Sequence, residues 1–337
     1  MNRNTLLEVK NVRKYFPIQD KKMFSTKKHY VQAVNDVSFS INEGETFGLV
    51  GESGCGKSTL ARLIMGLIKA DSGEINFEGR NFLDLSGKEL RKSRKSMQMV
   101  FQKPYESLNP KMTVAEIISA PFDIHRVFSK QERVRKVKEL LEMVGLSQQY
   151  LNRYPHEFSG GQRQRIGIAR AIALHPKLVI CDEAVSALDV SIQSQILNLL
   201  NDLQKEFKLT YLFISHDLSV VRHVSDKIGV MYLGEMVEMG EAETVYKNPK
   251  HPYTQALLSA IPVPDPTFKK KQIILEGDLP SPVNPPSGCR LSSRCPYVMP
   301  ICKEKKPELM NLGPNQSAAC HLFSDSKLEE LDHIASS

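Results

Sequence analysis

The sequence predicts an α/β protein that carries a phosphate-binding loop and ends in a small cysteine-rich extension. Three observations in its 337 residues support this prediction. The segment GESGCGKST at residues 51–59 joins an apolar strand to a helical run. The segment LVICDE at residues 178–183 has the form of a buried parallel strand that ends in two carboxylates. Four of the six cysteines fall after residue 288.

Residues 51–58 fit the G-x-x-x-x-G-K-[ST] pattern of a phosphate-binding loop. Glycines allow backbone N–H groups to converge on phosphate oxygens, and the N-terminus of the following helix adds partial positive charge. Lys57 is expected to reach the β- and γ-phosphates, and the Ser58 hydroxyl to bind Mg²⁺. The loop residues predicted to contact the nucleotide are Gly51, Ser53, Gly54, Cys55, Gly56, Lys57, Ser58 and Thr59.

The second half of the predicted site is the carboxylate pair Asp182 and Glu183. Open parallel sheets bind ligands at the carboxyl ends of their strands, so both acids are expected to face the phosphates. Asp182 is expected to hold Mg²⁺ through water, and Glu183 to polarise the attacking water as a general base. Catalysis of this kind depends mainly on positioning and charge neutralisation.

The remaining motifs, taken in order, point to one family. They are Gln102 within FQKPY, the signature residues Ser159, Gly160, Gly161 and Gln162, the segment SALD at residues 186–189, and His216 within ISHD. With these motifs in this order, the chain resembles the ATP-binding subunits of ABC transporters. The resemblance implies an ATP-binding domain over residues 5–260, with a mixed sheet core, an antiparallel β part and a helical subdomain at about residues 103–158.

The resemblance also implies roles for individual residues. Gln102 is expected to contact Mg²⁺ and the attacking water, and His216 to contact the γ-phosphate. Phe16 is expected to stack on the adenine, with Tyr15 as the alternative. The signature is expected to close on the nucleotide of a second ATPase subunit, although Ser159 by itself is equally suited to cap a helix.

Hydrophobic spacing predicts the elements around these motifs. Strands are expected near residues 178–181, 210–214 and 226–232, and helices at residues 60–67, 131–146 and 162–174. The helix at residues 131–146 is expected to bury one face, formed by Val134, Val137, Leu140, Leu141 and Val144.

Composition constrains where such a subunit works. The sequence has no run of 18 apolar residues and no apolar core of a signal peptide at its start, so other chains are expected to supply a channel. The expected location is peripheral, at the cytoplasmic face of the cell membrane. Residues 1–30 are rich in basic side chains. Such a segment could face anionic lipid headgroups, bind nucleic acid, or form a solvated basic loop. The aromatic residues of this segment do not alternate with the basic ones in the pattern typical of nucleic-acid binding, so no nucleic-acid partner is expected.

The segment HPYTQALLSAIP at residues 251–262 resembles oligopeptide and dipeptide importers, as do residues 104–110 and 184–190. This resemblance implies a heterodimer with a different ATPase subunit, two membrane permeases and an extracytoplasmic solute-binding protein. Import of nickel chelates or other small solutes is the first alternative. A non-transport ABC ATPase is the second, but only 56 residues separate Gln102 from Ser159, too few for a coiled-coil insert, and no internal repeat indicates a fused pair.

The C-terminal part divides into a proline-rich linker at residues 261–288 and a cysteine-rich region at residues 289–325. Clustered cysteines in a chain expected to be cytosolic indicate a metal, because structural disulfides are rare there. The spacing of Cys289, Cys295, Cys302 and Cys320 fits a zinc ribbon poorly. The region resembles the part of some peptide-importer ATPases that binds a [4Fe–4S] cluster, with zinc or free thiols as alternatives. Its expected role is to staple the tail, independently of ATP binding, with redox sensing as an alternative.

Overall fold

The computed structural model describes residues 4–18, 29–102, 107–261 and 272–324. Its strands are β1 (Thr5–Ile18), β2 (His29–Asn42), β3 (Thr46–Val50), β4 (Ser72–Phe77), β5 (Arg80–Asn81), β6 (Met97–Val100), β7 (Leu178–Asp182), β8 (Thr210–Ser215), β9 (Lys227–Tyr232), β10 (Glu235–Glu241), β11 (Met310–Asn311) and β12 (Gln316–Ala318). They form a mixed sheet in the order β11-β12-β10-β9-β3-β8-β7-β6 and an antiparallel sheet in the order β2-β1-β4-β5. The mixed core and the antiparallel part agree with the predicted fold class.

The α-helices are α1 (Lys57–Ile64), α2 (Gly87–Ser93), α3 (Val114–His125), α4 (Lys130–Met143), α5 (Gly160–Ile172), α6 (Val190–Phe207), α7 (Leu218–Val224), α8 (Ala242–Lys247), α9 (Pro252–Ser259) and α10 (Pro300–Glu304). Short 3-10 turns lie at Phe82–Asp84, Gln148–Asn152, Pro155–Glu157 and His321–Phe323. Within the described ranges, no helix is long and apolar enough to cross a membrane.

Five parallel strands, β6, β7, β8, β3 and β9, form the centre of the mixed sheet. Both faces of these strands are buried, which explains their continuous apolar sequence. On β7, Val179 and Cys181 pack into the core shared with the helical region, whereas Leu178 and Ile180 pack into the core shared with the antiparallel sheet. Because all five strands point the same way, their carboxyl ends meet at one edge of the sheet.

The helical region begins with two capped helices. Thr113 and Glu116 form a capping box at the start of α3, and Ser129 and Glu132 form another at the start of α4. Of the face predicted for α4, four residues are buried: Val137, Leu140, Leu141 and Val144. The fifth was assigned wrongly, since Val134 is 50% exposed. Val134 lies in the first half of α4. Its spacing places it on the predicted buried face, but its side chain is left exposed to solvent.

The C-terminal region is joined to the main sheet. Strand β12 pairs with β10 through Glu238 and Ala318, so the region after residue 309 extends the sheet. Residues 272–288 contain no helix or strand. Some sequence features lie outside the described residues: Arg3, Lys21, Lys22, Lys27 and Lys28 of the basic segment, residues 103–106 of the helical subdomain, residues 262–271 of the linker and residue 325 of the tail.

Candidate nucleotide site

The predicted phosphate loop connects β3 to α1 in a conformation that requires glycine. Gly56 has a φ of 110° and Gly54 a φ of 81°, both in the region that favours glycine. A β-carbon at Gly51 would overlap the carbonyl of Met231, and one at Gly56 would overlap the carbonyl of Ala33. The glycines are therefore needed both for the turn and for the close approach of the neighbouring strands.

The Lys57 side chain is folded into this loop and is only 4% exposed. Its Nζ donates to the carbonyl oxygens of Gly51, at 2.7 Å, and of Glu52, at 3.0 Å. The positive charge is thus held at the concave side of the loop, where the backbone N–H groups of a phosphate cradle converge.

Ser58 and Asp182 meet across the site although they are 124 positions apart in the sequence. The Ser58 hydroxyl donates to Oδ1 of Asp182 at 3.0 Å. Asp182 is 6% exposed, and burial raises the pKa of its carboxyl group, an effect to which the charge of Glu183 adds. A hydroxyl and a carboxylate are the oxygen ligands that Mg²⁺ prefers, so this pair fits the metal predicted from the sequence.

Glu183 lies immediately after β7 with a φ of 48°, a left-handed conformation that is strained for a non-glycine residue. Its N–H donates to the carbonyl of Ile214 on the adjacent strand β8 at 2.9 Å. Its carboxylate accepts a hydrogen bond from Nε2 of Gln102 and lies 3.7 Å from Nδ1 of His216. The structure therefore brings together the three residues predicted to be catalytic.

Lys57, Ser58, Gln102 and Glu183 line a cleft of about 340 Å³, while Asp182 and His216 lie behind the lining, in contact with Ser58 and Glu183 respectively. Its lining residues are Phe16, Val31, Gln32, Ala33, Ser53, Gly54, Gly56, Lys57, Ser58, Thr59, Gln102, Glu183, Leu233, Gly234 and Pro282. Phe16 belongs to the lining, whereas the Tyr15 hydroxyl donates to Asn35. A larger groove of about 780 Å³ lies at the opposite end of the strands, near Gly44 and Thr210, and has no phosphate loop.

Of the described residues that line the cleft, sequence reasoning missed six: Val31, Gln32, Ala33, Leu233, Gly234 and Pro282. They come from β2, from the turn between β9 and β10, and from the described part of the proline-rich segment. None belongs to a motif, and only the pairing of distant strands brings them to the loop. The sequence contains no signal that would have identified them.

The signature residues, 159–162, lie outside this cleft. Ser159 caps α5: its hydroxyl accepts from the N–H of Gln162 at 3.3 Å, and Oε1 of Gln162 accepts from the N–H of Ser159 at 3.0 Å. A β-carbon at Gly161 would overlap the side chain of Ile192 on α6. Among the described residues that line the cleft, none comes from residues 159–162. The chain does not supply its own signature to its own cleft.

Cys289, Cys295, Cys302 and Cys320 line one small cavity together with His251 and His321. All four are free thiols. Burial raises the pKa of Cys289 to about 12 and that of Cys320 to about 11. Within the part of the chain that the structure describes, no group of three or more His, Cys, Asp or Glu side chains is arranged to hold a metal ion. The thiols therefore share a cavity without the geometry of a closed site.

The other two cysteines are core residues. Cys181 is completely buried in β7, and burial raises the pKa of its thiol to about 12. Cys55 is 2% exposed within the phosphate loop, and its Sγ lies 3.7 Å from Nζ of Lys57. Both are small side chains in tight surroundings.

Comparison with known proteins adds to this geometry. A family model described as "ABC transporter" matches residues 34–186, and one described as "Oligopeptide/dipeptide transporter, C-terminal region" matches residues 237–302. The chain is 56% identical to the oligopeptide transport ATP-binding protein AppF of Bacillus subtilis, covering 96% of this chain and 99% of that protein. It is 53% identical to OppF of Escherichia coli, an oligopeptide transport ATP-binding protein, covering 91% of this chain and 93% of that protein.

A solved structure with a similar fold is the dimeric ATP-binding cassette MJ0796 in a post-hydrolysis state, bound to ADP and phosphate. It is 31% identical in sequence, and the match covers 70% of this chain and 99% of that chain with a TM-score of 0.61.

Proposed function

Because the chain belongs to the oligopeptide transport ATP-binding proteins of the ABC transporter family, we propose that it hydrolyses ATP to power the import of di- and oligopeptides. A separate pair of membrane permeases would form the channel. The observation that carries the catalytic part is the cleft at the carboxyl ends of the strands, where Lys57, Ser58, Asp182 and Glu183 converge.

The proposed mechanism follows from these positions. Lys57 and the loop N–H groups bind the phosphates, and Phe16 offers a face to the adenine. Ser58 and Asp182 would hold Mg²⁺, which neutralises charge on the phosphate oxygens when bound. Glu183 accepts the proton of the attacking water. Gln102 and His216 contribute positioning, since each lies beside the Glu183 carboxylate.

The position of the signature supports a dimeric mechanism. Ser159 and Gly161 lie outside their own cleft, so we propose that they act on the nucleotide of a second, different ATPase subunit. The purified chain alone should hydrolyse ATP slowly, and adding the partner subunit should raise the rate. Full-rate hydrolysis by a chain shown to be monomeric would contradict this arrangement.

An apolar groove suggests where a permease docks. It lies between β6 and α3, and three of its side chains are well exposed: Leu67 at 50%, Phe101 at 41% and Ile124 at 56%. Phe101 directly precedes Gln102, which bonds the Glu183 carboxylate. A cytoplasmic permease segment seated in this groove would therefore touch the residue next to the catalytic centre, which suits a surface that couples transport to hydrolysis.

The docking proposal has a direct test. Ile124→Glu should abolish co-purification with the two permeases while leaving ATP binding unchanged. The matched control is Ile274→Glu, since Ile274 is 72% exposed and lies outside the groove. Normal assembly of the Ile124 variant would show that the groove is not the docking surface.

The proposed function also includes the location of the chain at the cytoplasmic face of the membrane and the selection of peptides by an extracytoplasmic binding protein.

The cysteine cavity supports a metal by its donor set: four thiols of the C-terminal region face one space. We propose that Cys289, Cys295, Cys302 and Cys320 bind a [4Fe–4S] cluster, which thiolates hold and which would add folding energy to the tail. Anaerobically purified protein should then be brown and contain about four irons per chain, and Cys295→Ser should remove the colour. Colourless protein with stoichiometric zinc, or with no metal, would contradict the cluster.

A further inference from the structure

The cysteine-rich region contacts the phosphate loop directly, although the sequence suggested that the two are independent. Nη1 of Arg294 lies 3.2 Å from Oε2 of Glu52, the second residue of the loop. The two residues are 242 positions apart, and Arg294 directly precedes Cys295. We infer that Arg294 is a positioning residue for the nucleotide site, and that it makes ATP affinity depend on the C-terminal region. This inference rests on the proposed ATP-binding function.

The backbone carbonyl and N–H of Glu52 both form hydrogen bonds, in addition to the ion pair of its side chain. Its carbonyl oxygen accepts from Nζ of Lys57 at 3.0 Å, and its N–H donates to the hydroxyl of Tyr253 on α9 at 2.8 Å. Nη1 of Arg294 also lies 3.4 Å from the Tyr232 hydroxyl, and the rings of Tyr232 and Tyr253 are 4.6 Å apart. A change at Arg294 therefore reaches the loop backbone through Glu52 and through both tyrosines.

Because the ion pair between Arg294 and Glu52 is partly buried, water screens the attraction between the two charges only weakly. The Arg294 side chain is 12% exposed and that of Glu52 is 31% exposed. Among the described residues, Nε of Arg294 is buried without a hydrogen-bond partner, so the guanidinium is held by its Nη1 contacts. The negative charge of a glutamate in a phosphate-binding loop repels the anionic phosphates of the ligand. Arg294 neutralises the charge of Glu52. The ion pair thus allows the loop to carry an acid without losing affinity for phosphate.

A second arginine supports the same dependence. Nε of Arg290 lies 2.8 Å from the Glu235 carboxylate, and its Nη1 donates to the carbonyl of Leu233 at 2.8 Å. Arg290 also donates to the side-chain oxygen of Gln32, and the backbone N–H of Gln32 donates to the carbonyl of Pro282 at 2.9 Å. Leu233, Gln32 and Pro282 all line the cleft. The C-terminal region thus holds the wall of the cleft as well as the loop.

The test compares the ATP affinities of two single variants and of the double variant, because the inference predicts that the second substitution restores what the first one removes. Arg294→Gln leaves Glu52 uncompensated, so the affinity for Mg·ATP should fall roughly three- to tenfold at low ionic strength, and less at high salt. Glu52→Gln alone should keep or raise the affinity. The double variant should return to within about twofold of the wild type, and Arg294→Lys should largely retain affinity, because both keep the loop free of an unpaired carboxylate.

The affinities would be measured on the full chain with a fluorescent ATP analogue and with adenosine as a competitor. The Arg294→Gln effect should appear for ATP and be absent for adenosine, which has no phosphate charge. Arg222→Gln is the matched control, since Arg222 forms an ion pair of 2.9 Å with Glu243 away from the cleft. Thermal unfolding of each variant identifies any general loss of fold.

The outcomes separate the inference from the function. If the wild type fails to bind ATP, or if Lys57→Ala binds as well as the wild type, the proposed function is wrong. If the wild type binds and Arg294→Gln binds equally well, the inference is wrong. It is also wrong if the Arg294→Gln loss persists in the double variant, because the arginine would then contact the nucleotide itself or serve the fold alone.

Discussion

Replacing Glu183 with glutamine tests the predicted chemistry most directly. The Glu183 side chain is only 13% exposed, accepts a hydrogen bond from Gln102 and lies 3.7 Å from Nδ1 of His216. Glutamine has nearly the same shape, and its amide oxygen can still accept from Gln102. The substitution should therefore preserve the geometry of the site and remove only the group that accepts the proton.

The expected magnitude follows from what a general base contributes. Such a base accelerates a reaction by about 10²–10⁴-fold, which is roughly 3–5 kcal/mol of the barrier at about 1.4 kcal/mol for each factor of ten. Turnover of Glu183→Gln should accordingly fall by about 10²-fold or more. ATP affinity should change little, because the loop and Lys57 are untouched, and the closed dimer with the partner subunit should accumulate.

Phosphate release at saturating Mg·ATP, measured with the partner subunit present, gives the turnover, and a fluorescent nucleotide gives the affinity. Size-exclusion chromatography with ATP detects the trapped dimer. Glu206→Gln is the matched control, because Glu206 is exposed on α6. Near-normal turnover of the Glu183 variant would refute its role as the base. Loss of ATP binding would instead show that the carboxylate serves the fold of the cleft.

Three further predictions follow from the structure. Gly56→Ala should lower ATP affinity about tenfold in a nucleotide-binding assay, because the φ of 110° strains a β-carbon; unchanged affinity would contradict the close approach at this position. Leu141→Ala should cost about 2–5 kcal/mol in denaturant unfolding and Val134→Ala about 0.5 kcal/mol or less, since the first is fully buried and the second half-exposed. The hydrogen bond from Arg222 helps to lower the pKa of Glu243 to about 2, so this carboxylate contributes stability above its usual pKa of 4.5 and loses it as the pH falls toward 2. Glu243→Gln should therefore lower Tm slightly at pH 7, and a difference of the same size at or below pH 2, where the folded protein also protonates this carboxylate, would rule out this ion pair as the cause.

The local motifs were predictable because each one is a short stretch whose chemistry depends on neighbours in sequence. The phosphate loop needs Gly56, Lys57 and Ser58 within a few positions, and the strand before Asp182 is recognisable from its apolar run alone. The family and the peptide-transport class, suggested by these motifs, are confirmed by relatives at 53% and 56% identity over nearly the whole chain. The individual roles of Phe16, Gln102, Glu183 and His216 stay predictions, although all four lie at or beside one cleft.

Helix α4 shows the limit of periodicity. Spacing placed five residues on one face, but Val134 is 50% exposed, because spacing determines the face of a helix and not which of its turns is covered. The signature shows what residue type alone leaves open. Ser159 suits a helix cap or a phosphate contact equally well, and the structure shows that it caps α5 and lies outside the cleft of its own chain.

What the sequence by itself determined is the chemistry: a phosphate loop, two carboxylates after a buried strand, and the order of motifs that indicates the family. Only the tertiary structure decided which distant segments share the site. Pro282 lines the cleft, and Arg294, beside a cysteine expected to act independently, pairs with Glu52 of the loop. The physical reason is that these contacts join segments far apart in the chain, as Arg294 and Glu52 do across 242 positions, and contacts of this range leave no trace in local spacing.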